Sequence, residues 1–123
     1  MINTGPERTT AVALTAFGVF QAALAAGAPW GRAAYGGSRS GTLPGHLRTI
    51  SGLASLAYCG GAILVLRGSG APRDRRRAYT ALSIFMGVGA VLNGASRSPV
   101  ERVLWTPLTA VTAVSSWRSR PRV

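Results

Sequence analysis

Four apolar stretches, each close to the length that crosses a bilayer and each free of charge along its middle, constrain this chain more than any other feature. A transmembrane helix needs about 20 mostly apolar residues, since each residue adds only about 1.5 Å and lipid offers backbone groups no partner. The stretches run from about Thr9 to Ala28, Leu47 to Leu66, Ala78 to Gly94 and Pro99 to Trp117. No Asp, Glu, Lys, Arg or His falls deep within them. A soluble bundle would instead show a charged face every three or four residues. The expected fold is therefore all-α, one domain over residues 1–123, an integral membrane four-helix bundle with an ordered outer loop between helices one and two.

Charge supports that reading. The net charge of +11 would suit a nucleic-acid binder, but only 14% of residues are charged and 47% are hydrophobic, and the basic residues sit between the apolar stretches. All 14 cations are arginine, as in the coding bias of a GC-rich bacterial genome. If both termini share one side, that side holds Arg8, Arg67, Arg73, Arg75, Arg76, Arg77, Arg118, Arg120 and Arg122, against Arg32, Arg39, Arg48, Arg97 and Arg102 opposite. The positive-inside rule then puts both termini in the cytoplasm of a bacterial inner-membrane protein, with Arg73 to Arg77 as a topogenic anchor on anionic headgroups. Ala26-Gly27-Ala28 resembles a signal-peptide cleavage site, but Glu7 beside Arg8, the length of the apolar run and Pro29 favour a retained first span.

Small residues mark where helices should meet in lipid: Gly18, Ala22 and Ala26 on helix one; Ser51, Ser55 and Cys59 on helix two; Ser83, Gly87, Ala90 and Gly94 on helix three. Cys59 is the only cysteine, which excludes an intrachain disulfide or a cysteine zinc site. Ser98-Pro99-Val100-Glu101 fits a capping box at the start of helix four. Pro107 should kink that helix near Val103 by removing one backbone bond.

The chemistry-bearing residues gather at the arginine-poor end. The loop from Ala28 to Leu47 is long and rich in glycine, with Trp30 and Tyr35 placed for the headgroup level or for a ligand lid. Arg48, Asn93, Glu101, Arg102 and Trp105 converge on the same face, and Gln21 lies about two turns below it. Gln21 is expected either to bond with Asn93 or with serines of helices two and three, or to serve a polar ligand. Glu101 is expected to be ionised beside Arg48, Arg32 or Arg102. His46 has no neighbouring metal ligands, and no cofactor is implied.

Phe20-Gln21, Gly27-Ala28-Pro29-Trp30-Gly31, Gly36-Gly37, Leu43-Pro44, Leu47-Arg48, and Ser96, Ser98, Glu101-Arg102 resemble a group of small four-span bacterial inner-membrane proteins. The resemblance implies the four-helix membrane fold and supplies no activity. Small multidrug-resistance exporters carry a glutamate in helix one where this chain offers Gln21, fluoride channels carry a glycine-rich signature with arginine that has no counterpart here, and quinone-reducing thiol enzymes need paired cysteines. The expected role is non-enzymatic: binding a small molecule or lipid, transport, or service as an accessory to a partner membrane protein or a homo-oligomer. Proton-coupled transport is disfavoured for want of an embedded carboxylate. The alternative is an interfacial enzyme that acts on an anionic lipid headgroup through Glu101, His46 and the outer arginines.

Overall fold

The computed structural model describes residues 4–37 and 39–123; Ser38 of the long loop lies outside them. It is all-helical, with α1 Gly5–Ala25, α2 Gly45–Arg67, α3 Pro72–Gly94 and α4 Thr106–Arg118, the last preceded by a π-helical turn Glu101–Trp105. α1 and α2 are long and apolar enough to cross a membrane, and only 33% and 22% of their apolar windows are buried within the protein. A core helix of a soluble domain would be mostly covered.

Helix ends differ from the sequence reading for local reasons. α1 begins earlier than Thr9 because Thr4 accepts the Glu7 amide at 3.2 Å and Pro6 occupies the first turn. α3 begins at Pro72, so Arg73 to Arg77 form its first turns rather than a loop. Gly68, at φ +60°, closes α2 in the left-handed region, and only four residues link it to α3.

The anticipated kink in helix four takes another form. Pro107 has no amide to offer Val103, and the chain widens before it: the Thr106 amide and hydroxyl both bond back to the Glu101 carbonyl, five residues earlier. The irregularity spans the predicted place without breaking the helix.

Neighbouring helices run antiparallel. Ser55 donates to the Gly18 carbonyl at 2.8 Å between α2 and α1, Ser83 to the Ala113 carbonyl at 2.7 Å between α3 and α4, and Thr10 meets Ser115 at 2.9 Å between α1 and α4. The packing order is thus α2, α1, α4, α3. Between α2 and α3 a cleft of about 550 Å³ stays open, floored by Leu14 of α1 and edged by Asp74 and Arg75 at one end. The start of α1, the C-terminal residues and the Arg73 to Arg77 turns lie at that end, where Arg75 pairs with Glu7 at 3.6 Å and Arg76 donates to the Pro121 carbonyl at 3.0 Å.

Beside an apolar core around Leu14, Phe17 and Met86, several hydroxyl side chains are buried and many large apolar side chains are exposed. Thr10, Ser51, Thr112 and Ser116 are 0% exposed, while Leu56, Val91 and Val103 are 73%, 71% and 76% exposed. The hydroxyls of α4 return to carbonyls of their own helix, Thr112 to Leu108 at 2.7 Å and Ser116 to Thr112 at 2.6 Å, so they need no water. The Thr10 to Ser115 contact adds a polar link across α1 and α4, the kind of bond that joins helices in lipid.

Two substitutions test this packing. A Cβ on Gly18 would collide with the Cys59 sulfur and sit 3.3 Å from the Cys59 amide. Gly18→Ala should therefore destabilise the detergent-solubilised protein by about 1–3 kcal/mol. Thr10→Val should lose about 1 kcal/mol. Thermal unfolding in detergent measures both, and unchanged melting would contradict the packing.

Candidate functional site

The long loop folds back as a cap. Gly31 donates its amide to Gly41 at 2.9 Å, and short turns at Gly31–Ala33 and Tyr35–Gly37 follow. Leu43 and Ala34 pack with Leu24, burying the loop's apolar side. The cap is tied to helix four from three directions: Trp105 Nε1 donates to the Ala33 carbonyl at 2.9 Å, the Gly36 amide to Glu101 Oε1 at 3.1 Å, and the Ser98 hydroxyl to the Arg32 carbonyl. Gly37, at φ +71°, comes so close to Ser98 that a Cβ there would stand 2.6 Å from the serine Cβ. Only glycine fits that approach. Tyr35 also holds a positive φ of 50°, a conformation that costs a non-glycine residue energy, with its hydroxyl 2.9 Å from Ser51.

Under this cap lies a cavity of about 180 Å³, lined by Phe17, Phe20, Gln21, Ala33, Ala34, Tyr35, Tyr58, Asn93, Glu101, Trp105 and Thr109. It is comparable in size to a protein cavity of about 150 Å³ that admits benzene. Its aromatic residues form a continuous cluster: Phe17 stands 5.6 Å from both Tyr58 and Trp105, and Phe20 stands 4.5 Å from Trp105.

The capping box is only half made, which frees Glu101 for the cavity. The Glu101 amide does bond to the Ser98 hydroxyl at 3.3 Å, but the Ser98 amide goes to Ser96 Oγ at 3.0 Å. The Glu101 carboxylate turns instead to Gly36 and is 6% exposed. No arginine lies within ion-pair distance of it among the described residues, contrary to the expected pairing with Arg48, Arg32 or Arg102. Arg48 Nε is bonded to the Ala25 carbonyl at 3.1 Å and Arg102 Nη1 to the Ser96 carbonyl at 2.7 Å.

Five residues singled out from the sequence thus meet around one cavity: Gln21, Tyr35, Asn93, Glu101 and Trp105. Arg48 and Arg102 point to backbone carbonyls elsewhere, and Trp30 is half exposed and stacks on Phe20 at 6.2 Å, a layer away from the cavity. The bond expected between Gln21 and Asn93 is not made: Gln21 Oε1 is buried without a hydrogen-bond partner among the described residues. His46 is exposed at the start of α2 and lines neither the cavity nor the cleft, so it is not brought to Glu101. Sequence reasoning missed Phe17, Phe20 and Tyr58 as cavity walls; aromatic side chains inside apolar spans read as ordinary packing. The described residues contain no group of three or more potential metal ligands.

Comparison with known proteins gave no matching family, curated protein or solved structure.

An acceptor buried without a donor contributes nothing to folding and carries a desolvation penalty of about 1–3 kcal/mol. Gln21→Leu should therefore leave the melting temperature of the ligand-free protein in detergent unchanged or raise it. A fall equivalent to 2 kcal/mol or more (about two such hydrogen bonds) would mean that the amide bridges helices.

Proposed function

We propose that this chain is a four-span inner-membrane protein that binds a small molecule in the cavity beneath its cap, without transforming it. The observation that carries the proposal is Gln21 Oε1, buried and unpartnered in the wall of a cavity that also holds Asn93 and Glu101. Polar groups within apolar helices persist when they serve one another or a ligand, and this oxygen has no protein donor among the described residues.

Membrane immersion of all four helices is supported by the exposed apolar side chains on α3 and the helix-four segment as well as on α1 and α2. At about 1.5 Å per residue, the apolar part of α3 from Ala78 to Gly94 extends about 26 Å, near the short end of what crosses a hydrocarbon core of about 30 Å. Its arginine-bearing first turns would then lie among the headgroups. The excess of arginine at the end that carries both termini favours that end as cytoplasmic, which directs the cap and its cavity outward. A binding component of a transport system, or an accessory that senses a solute for a partner membrane protein, is the role such a site would serve.

The test uses the protein purified in lipid nanodiscs and then denatured, with the released small molecules identified by mass spectrometry. Ala33→Phe, placed in the cavity wall, should fill the space and serve as the comparison. A compound enriched in the wild-type extract and depleted in the variant is expected. Identical extracts would contradict the binding role.

A further inference from the structure

We propose that the cavity beneath the cap is selective for a small organic ammonium ion, an assignment that rests on the ligand-binding reading above. Beside the Asn93 amide and the Tyr58 hydroxyl, which can donate as well as accept, two features of the cavity ask for positive charge or for a hydrogen-bond donor. Gln21 Oε1 is an acceptor with none of its own. Glu101 is buried, receives a single hydrogen bond from the Gly36 amide, and has no cation within ion-pair distance among the described residues. A carboxylate withdrawn from water calls for a counter-charge.

The walls supply the second half of the recognition. Phe17, Phe20, Tyr58 and Trp105 surround the same space, and aromatic faces attract cations whose own hydration is weak, as in the cages that hold quaternary ammonium groups. The chain as a whole is strongly basic, which would favour an anion, yet the nearby guanidinium groups do not face the cavity. Arg48 and Arg102 are turned to the carbonyls of Ala25 and Ser96. Glu101 is the one charged residue in the cavity lining, so the local field is negative inside a positive rim. The volume of about 180 Å³ suits a head of a few carbons around nitrogen.

A series of probes matched in shape and differing in charge tests this: choline, 3,3-dimethylbutan-1-ol as its neutral isostere, and 3,3-dimethylbutanoate as the anion. Binding to the protein in nanodiscs is read from Trp105 fluorescence in a Trp30→Phe, Trp117→Phe background. Choline should bind at least about tenfold more tightly than the alcohol, with no saturable response to the carboxylate. Glu101→Gln keeps an acceptor for the Gly36 amide and removes the charge; it should weaken choline at least about tenfold and leave the alcohol unchanged.

Equal or tighter binding of the alcohol or the carboxylate would overturn the cation assignment while leaving a binding cavity in place. Failure of all three probes to saturate by roughly 10 mM would also overturn it. Whether the broader reading fell as well would be decided by the comparison of wild-type and Ala33→Phe extracts, which depends on no chosen probe.

Discussion

The structure depends on polar groups finding partners inside the protein while many large apolar side chains are left outside. Thr112, Ser115, Ser116 and Ser119 bond to carbonyls of their own helix, and Ser55 and Ser83 bond across to neighbouring helices. Such an arrangement is stable in a medium that does not compete for hydrogen bonds and does not penalise exposed leucine and valine. In water the same outer surface would be an aggregation patch. Small residues at the contacts, above all Gly18 against Cys59, let the backbones approach closely enough for these bonds to form.

The cap uses the same constraint at the bundle's end. A long loop has many backbone groups to satisfy, and several of them are taken by side chains of helix four: Trp105 for Ala33, Ser98 for Arg32, Glu101 for Gly36. The π-helical turn places Glu101 and Trp105 at the start of that helix, where both serve the cap and the cavity. Pro107, which forces the wide turn, thereby shapes the site from a distance. Gln21 stands apart from this satisfied network, and the proposed binding role rests on that difference.

Much of the fold was legible because its cause is local. Length and absence of charge located four helices, and small-residue spacing marked Gly18, Ser55 and Ser83 as packing positions without assigning their partners. The early start of α3 was hidden because five consecutive residues rich in arginine read as a loop, although Pro72 and Asp74 suit a helix N-terminus. Within the site, Gln21, Tyr35, Asn93, Glu101 and Trp105 stood out as polar or amphipathic groups near one face. The roles of the arginines did not: a guanidinium reaches several partners from one backbone position, and sequence cannot show that Arg48 and Arg102 choose carbonyls over Glu101. Nor does sequence distinguish an aromatic ring that lines a cavity from one that fills a core, as with Phe17 and Tyr58.

The central proposal is that the bundle spans a membrane with its cap on one side and its arginine-rich end on the other. Cysteine labelling in spheroplasts tests it directly, using a Cys59→Ala background and a maleimide that does not cross membranes. A cysteine introduced by Arg39→Cys in the exposed cap should label in intact spheroplasts, and one introduced by Ser69→Cys between α2 and α3 only after lysis. Equal labelling of both before lysis, or the reverse pattern, would contradict the account.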